Sequence, residues 1–212
     1  MAWQGIVFDL DGTLVDTEPL HRDAWLDTLS TYHLNYDEAW FSQWIGQSDR
    51  TLASWVVANA LHQMDEETLL ESKRKKYYRL ASEYTPLFRG VGEALPILAS
   101  KYALAIATNS SNEDAEAVFL STRIEPYFKA IVTSNKVAHM KPAPDPYLQA
   151  ASLLQIDPKK LIAVEDSPAG ITAARQAGLY TLGVTNSHPE DKLKEADKIF
   201  PSTQDALIWI TR

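Results

Sequence analysis

The stretch from Gln4 to Asp16, QGIVFDLDGTLVD, organises the chain. The apolar run from Ile6 to Phe8 precedes an Asp-Leu-Asp-Gly turn, a pattern typical of a buried strand that ends in acids. Asp9 and Asp11 are two residues apart, so at strand spacing their carboxylates face the same side. Acids at the carboxyl end of a parallel strand predict a site for a divalent cation and an anionic substrate. On these two residues alone, an ordinary Asp-Gly turn remains the alternative.

The composition excludes several classes of function. The 212 residues include 28 acidic and 20 basic side chains, which gives a net charge of −8. This charge opposes non-specific binding to nucleic acid or to anionic membranes, whereas a local cationic site can still bind a small phosphorylated metabolite. The absence of cysteine excludes disulfides, thiolate catalysis and cysteine-ligated zinc.

The first residues and the apolar runs of the sequence predict neither a signal peptide nor a membrane span. Met1 leads directly into the first predicted strand without a basic segment followed by a long apolar one, and no apolar run approaches the ~18 residues of a membrane span. We therefore expect a cytoplasmic protein without a membrane partner. We also expect a monomer.

Two regions differ in their hydrophobic periodicity. Residues 17–86 predict several helices and no strand, while residues 87–212 predict alternating strands and helices. This order predicts an α/β fold, with a doubly wound and mostly parallel sheet formed by residues 1–16 and 87–212. Residues 17–86 then form an inserted all-helical cap, with most of its tryptophans in a bundle core. The basic run from Lys73 to Lys76 is interpreted as a solvated helix face.

Polar residues follow the second predicted strand, Ala103 to Ala107. Ser110 with Glu113 forms a predicted capping box that opens the next helix. The Thr108 hydroxyl and the following backbone N–H groups would gather at that helix N-terminus, which suits an anion. The alternative is that these hydroxyls only cap the helix.

Two further segments carry charged residues that belong to the predicted site. Lys141 lies before two prolines in a stiff loop, a reasonable position for a phosphate-binding lysine, with Asp145 predicted to cap the next helix. Another apolar strand, Leu161 to Val164, delivers Glu165 and Asp166 to its carboxyl end. Carboxylates on two strands, a hydroxyl on another and a lysine on a loop predict phosphoryl-transfer chemistry with Mg²⁺.

Four segments in this order resemble the motifs of the haloacid dehalogenase-like hydrolase superfamily. They are Asp9 to Asp16, Thr108 to Ser110, Lys141-Pro142 and Glu165 to Ser167. The resemblance covers essentially the whole chain and implies a Rossmann-like core. A helical cap after the first motif is similar to the subgroup that contains β-phosphoglucomutase, phosphoglycolate phosphatase and sugar-phosphate phosphatases.

The resemblance implies distinct roles for the acids. Asp9 would attack phosphorus and form an aspartyl-phosphate, while Asp11 would protonate the leaving oxygen and then activate water. Mg²⁺ would be held by Asp9, the Asp11 backbone carbonyl and Asp166, with Glu165 helping directly or through water.

The resemblance also implies how the phosphoryl group is bound. Thr108, the Asn109 N–H and Lys141 would hold its oxygens. A cis peptide bond between Lys141 and Pro142 is expected on the same ground.

Substrate choice is expected to reside in the cap. The candidate residues are His21, Gly46, Gln47, Ser48 and Arg50, and for His21 a packing role in the first helix is the alternative.

The chain departs from the mutases at two cap positions. Mutases resemble one another in placing a lysine before the cap glycine and an arginine shortly after the serine. Here Ile45 precedes the glycine and Asp49 displaces Arg50. The leading hypothesis is an Mg²⁺-dependent phosphatase for a sugar or polyol phosphate. The alternatives are a β-phosphoglucomutase-like isomerase and a non-catalytic binding module.

Overall fold

The computed structural model describes residues 3–45, 47–60 and 63–211. Its strands are β1 (Gly5–Phe8), β2 (Ala103–Ala107), β3 (Ala130–Val132), β4 (Leu161–Glu165), β5 (Tyr180–Val184) and β6 (Lys198–Phe200). They form one parallel sheet in the order β3-β2-β1-β4-β5-β6. The predicted α/β fold with a parallel sheet is confirmed, and β1 lies between β2 and β4.

Within the described residues, five α-helices lie between β1 and β2 along the chain, and four follow β2. The first five are α1 (Glu18–Thr31), α2 (Glu38–Phe41), α3 (Asp49–Asn59), α4 (Glu66–Glu83) and α5 (Val91–Ala99). The others are α6 (Asn112–Thr122), α7 (Asp145–Leu154), α8 (Pro168–Gln176) and α9 (Thr203–Thr211). In the described part of the chain, no helix is long and apolar enough to cross a membrane.

The sheet is buried on both faces, as parallel sheets require. Successive residues of β1 point to opposite sides: Ile6 and Phe8 join one hydrophobic cluster and Val7 joins the other. The first cluster includes apolar residues of α5, α6 and α9, and the second includes those of α7 and α8. Helix layers on both faces leave the strand ends as the accessible edge.

The helices α1 to α4 share a third hydrophobic cluster, centred on Trp25, Leu29, Phe41, Leu52 and Leu69. The predicted burial of tryptophans in the bundle is confirmed for Trp25. Trp40 and Trp44 only pack against the cluster, and Trp55 is 36% exposed.

The chain passes between the sheet and the four helices at two adjacent points. The Asp16 N–H donates to the Pro86 carbonyl at 2.9 Å, and the Phe88 N–H donates to the Leu14 carbonyl at 3.0 Å. The predicted boundaries of the cap, residues 17–86, lie next to these two hydrogen bonds and stay a prediction. Independent folding or motion of that segment stays a prediction.

Two predicted helix caps are wrong. Ser111, not Ser110, caps α6 by accepting from the Asp114 N–H at 3.1 Å, and α6 begins at Asn112. Asp145 is the first residue of α7 rather than its cap, and its carboxylate lies 3.0 Å from His139 Nδ1.

Candidate active site

The carboxyl ends of β1 and β4 bring the predicted acids together. The Asp9 N–H donates to the Val164 carbonyl at 3.0 Å, which ties the end of β1 to β4. The Lys141 ammonium lies between two carboxylates, 2.5 Å from Asp9 Oδ1 and 2.5 Å from Glu165 Oε1. The Lys141–Pro142 peptide bond is cis, as the resemblance implies.

These charges are buried and interact strongly with one another. Burial alone lowers the pKa of Lys141, but the charges of Asp9 and Glu165 outweigh it and raise that pKa, so the amine stays charged. Burial raises the pKa of Asp9 well above its ordinary value; Lys141 opposes the rise, whereas Glu165 and Asp166 add to it. The nucleophile candidate therefore needs more positive charge nearby to stay ionised.

The buried carboxylates of Asp9, Glu165 and Asp166 form a cluster whose ligand atoms all lie within 4.8 Å of one another. Burial and the charge of Glu165 raise the pKa of Asp166 to about 7. Three carboxylates beside one ammonium leave two negative charges uncompensated, and hard oxygen ligands suit Mg²⁺. The donor set therefore fits a divalent cation.

The oxygens of Glu165 are already occupied. Lys141 and the Tyr147 hydroxyl donate to Oε1, the latter at 2.8 Å, while the Ser167 N–H and Oγ donate to Oε2 at 3.2 and 3.0 Å. Asp9 and Asp166 thus offer the freer oxygens to a cation. Glu165 is therefore placed to hold the Lys141 ammonium in position.

Glycines crowd two of these carboxylates. Gly12 has a φ of +78°, and a Cβ there would overlap the Asp166 carboxylate. A Cβ at Gly170 in α8 would overlap the Glu165 carboxylate. Each carboxylate is therefore held by close approach of the backbone.

We expect Gly170→Ala to destabilise the protein by about 1–3 kcal/mol, because the added methyl displaces the Glu165 carboxylate. Denaturant unfolding measures the change. Gly92→Ala in α5 is the matched control: its Cβ would lie 3.7 Å from Leu87 Cδ1, an ordinary contact, so it should be neutral or stabilising. Equal effects of the two substitutions would show that Glu165 is free to move.

The Asp11 carboxylate lies outside this acidic cluster and contacts the segments beside it. Thr17 Oγ1 donates to its Oδ1 at 2.9 Å and Ser110 Oγ donates to its Oδ2 at 2.5 Å, with Thr108 Oγ1 at 3.4 Å. Ser110 can reach Asp11 because Ser111 takes the capping role. Thr17 directly precedes α1, so Asp11 links the sheet edge to the first cap helix.

The loop after β2 joins the loop that carries Lys141. The Asn109 side chain accepts from the Lys141 N–H at 2.9 Å and donates to the Lys141 carbonyl at 3.2 Å. Thr108 is buried, and its hydroxyl accepts from the Ser110 N–H. Within the described residues, the backbone N–H groups of Leu10, Asp11 and Asn109 have no acceptor, so they are available to an anion.

A cleft of about 710 Å³ lies between these strand ends and the cap helices. Asp11, Asn109 and Asp166 line its floor; of the predicted cap residues, His21, Gln47 and Ser48 line it.

The structure does not bring Arg50 to the cleft. Its side chain is 63% exposed, and its guanidinium pairs with Glu66 at 2.9 Å and with Glu67 at 2.8 Å. Gly46 lies outside the described residues.

The prediction that Lys73 is solvated is wrong. Lys73 is 2% exposed, and its Nζ lies 2.7 Å from His21 Nδ1 and 2.6 Å from Asp49 Oδ2. Burial and the charge of Lys73 lower the pKa of His21 to about 4, so that ring is neutral. Lys73 lies four residues after Leu69 and four before Tyr77, both buried, and this helical spacing was the available signal.

The fold and the site define a class of enzyme that uses strand-end acids in a Rossmann-like core. The family model described as haloacid dehalogenase-like hydrolase matches residues 6–184. The chain belongs to this family, which confirms the resemblance of its four motifs.

Several known proteins are similar to the chain. It is 32% identical to the fructose-1-phosphate phosphatase YqaB of Escherichia coli strain K12, over 86% of the chain and 96% of that protein. It is 30% identical to the β-phosphoglucomutase of Bacillus subtilis strain 168, over 97% and 92% respectively. A solved candidate β-phosphoglucomutase from Thermotoga maritima superposes with a TM-score of 0.87 at 28% identity and covers 98% of both chains.

Proposed function

We propose that the protein is an Mg²⁺-dependent phosphatase that hydrolyses a sugar or polyol phosphate through an aspartyl-phosphate on Asp9. The observation that supports it most is the buried Asp9–Lys141–Glu165 arrangement beside Asp166 at the floor of the cleft. Asp9, Asp166 and the Asp11 carbonyl would hold Mg²⁺. When bound, the ion would supply positive charge that keeps Asp9 ionised and offsets the charge of the phosphoryl oxygens.

The chain's own residues provide the remaining chemistry. An Asp9 oxygen attacks phosphorus as the bond to the leaving oxygen breaks, and Asp11 gives its proton to that oxygen. Asp11 then takes a proton from water, which attacks phosphorus and releases phosphate and Asp9. Lys141, Thr108 and the free N–H groups near Asp9 bind the phosphoryl oxygens.

The cleft supports a small polyhydroxylated leaving group. Its volume lies within the usual range of about 300–1,000 Å³ for small-molecule sites, and Trp25, Phe41 and Trp44 line it together with Gln47 and Ser48. The similar Escherichia coli protein is named for fructose 1-phosphate, which supports a sugar phosphate here. Closure of residues 17–86 over the substrate would exclude water.

The β-phosphoglucomutase-like alternative is supported by the Bacillus subtilis relative. Hydrolysis is favoured over it because Ile45 and Asp49 stand where mutases are expected to carry cations, and because Arg50 pairs with glutamates away from the cleft. A mutase needs such cations to hold the second phosphate of its bisphosphate intermediate.

A panel of phosphorylated metabolites with Mg²⁺ tests the proposal, with phosphate release and isomer formation followed together. We expect phosphate release from sugar or polyol phosphates without isomer formation. Glucose 6-phosphate appearing from β-glucose 1-phosphate faster than free phosphate would establish the mutase instead. No release from any compound would refute both.

Mg²⁺ affinity should depend on pH through Asp166. Its pKa of about 7 in the metal-free protein means that the ion must displace a proton below that pH. We expect affinity to weaken by at least about tenfold per pH unit below 7, because the raised pKa of Asp9 adds to the effect in the same direction. Calorimetric titration with Mg²⁺ at pH 6 and pH 8 measures this, and equal affinities would contradict it.

A further inference from the structure

The cap side of the cleft is rich in negative charge. Asp16 and Glu18, near the start of α1, and Asp49, at the start of α3, line it in addition to Asp11 and Asp166 on its floor. Within the described residues, no lysine or arginine lines this cleft. A leaving group bound there would face three carboxylates.

Lys73 contacts one of these three carboxylates, Asp49, which already balances its charge. Its Nζ lies 2.6 Å from Asp49 Oδ2, while Trp25 Nε1 donates to Asp49 Oδ1 at 2.8 Å and fixes the carboxylate in place. The Lys73 ammonium also contacts the neutral ring of His21 and lies 5.0 Å from the centre of the Tyr77 ring, neither of which carries a charge. Asp49 therefore cancels the charge that could otherwise attract a second anionic group.

We propose that this cleft selects phosphate monoesters whose remaining part carries no negative charge, and that Asp49 sets the selectivity. The inference rests on the proposed phosphatase function and deepens it. A carboxylate or second phosphate would approach Asp16, Glu18 and Asp49 in a partly desolvated cleft, where like charges repel more strongly than in water. Hydroxyl groups can instead donate to these carboxylates and accept from Gln47 and Ser48.

Matched pairs of substrates test the inference on the wild-type protein with Mg²⁺. The pairs are glycerol phosphate with phosphoglycolate, and fructose 1-phosphate with fructose 1,6-bisphosphate. We expect kcat/KM to be about tenfold or more higher for the member of each pair that lacks the additional anionic group. Equal values, or a preference for the additional anion, would overturn the inference and leave the phosphatase function standing. No release from any of these four or from any compound of the panel would refute the phosphatase function itself.

Variants separate the role of Asp49 from general electrostatics. Asp49→Asn should reduce the preference for the substrate without the additional anionic group by about tenfold. It leaves the charge of Lys73 unbalanced next to the cleft. Glu18→Gln leaves the Lys73–Asp49 pair intact and should shift the preference in the same direction by less, which keeps the test valid if Asp49→Asn folds poorly. Glu116→Gln, an exposed site on α6 in a separate groove, removes the same net charge and should change nothing. A preference unchanged in both cleft variants would overturn the assignment.

Discussion

Replacing Asp9 with asparagine is expected to reduce phosphate release by roughly 10⁴-fold or more, because the amide cannot attack phosphorus. The fold should survive. The amide oxygen can still accept from Lys141, and one carboxylate fewer lowers the repulsion in the buried cluster. Phosphate release and thermal unfolding of the same preparation measure the two effects. Release at more than a tenth of the wild-type rate would remove Asp9 from the mechanism.

Asp11→Asn is the matched comparison, because it makes the same chemical change two residues away. It should slow turnover while leaving Mg²⁺ affinity largely intact, since the Asp11 carboxylate lies outside the acidic cluster and contacts Thr17 and Ser110. A large loss of Mg²⁺ affinity in this variant would contradict the separation of roles between Asp9 and Asp11.

Replacing Lys141 with methionine is expected to destabilise the protein by about 3–5 kcal/mol near neutral pH, because it leaves buried carboxylates without their cation. Without Lys141 the pKa of Asp9, already raised by burial, rises further. The variant is therefore most stable at low pH, where Asp9 is protonated, and loses stability as the pH rises through that raised pKa. Phosphate release should also be lost.

Denaturant unfolding of Lys141→Met in the presence of a chelator, at pH 5 and pH 8, measures this effect. Tyr147→Phe is the control, because it removes one hydrogen bond to Glu165 and keeps the ammonium. Its loss should be smaller, about 1.5 kcal/mol. A Lys141→Met protein as stable as the wild type at pH 8 would show that the ion pair contributes nothing.

Much of the site could be predicted because parallel strands end at a common edge. Asp9 and Asp166 follow strands that proved to be neighbours, β1 and β4, and Thr108 follows β2 on the other side of β1. Local patterns of apolar residues identify such strands, and the order of strands and helices predicts the doubly wound sheet. Chemistry carried at strand ends is therefore readable from sequence.

The other features of the site depend on contacts between segments that are distant in the sequence. Lys73 and Asp49 are 24 residues apart and lie on different helices, so only the packing of α3 against α4 reveals their pair. Arg50 likewise turns to Glu66 and Glu67 across those helices. Two adjacent serines could each cap α6, and local sequence alone does not decide which one remains available to Asp11.

The hydrogen bond from Tyr147 to Glu165 could not be predicted from the sequence either. It lies within α7 as one of several apolar positions, and its hydroxyl reaches Glu165 only because α7 packs against the sheet. A buried tyrosine in a helix has no sequence signal that distinguishes this contact from ordinary core packing.

The most direct test of the account is to locate the phosphoryl group during turnover. The protein would be mixed with Mg²⁺ and the best substrate of the panel, quenched in acid at several times within the first turnover, digested and analysed by mass spectrometry. We expect one phosphoryl group on the peptide that contains Asp9, appearing before free phosphate and absent in Asp9→Asn. Free phosphate accumulating while Asp9 stays unmodified at every time would contradict the aspartyl-phosphate mechanism.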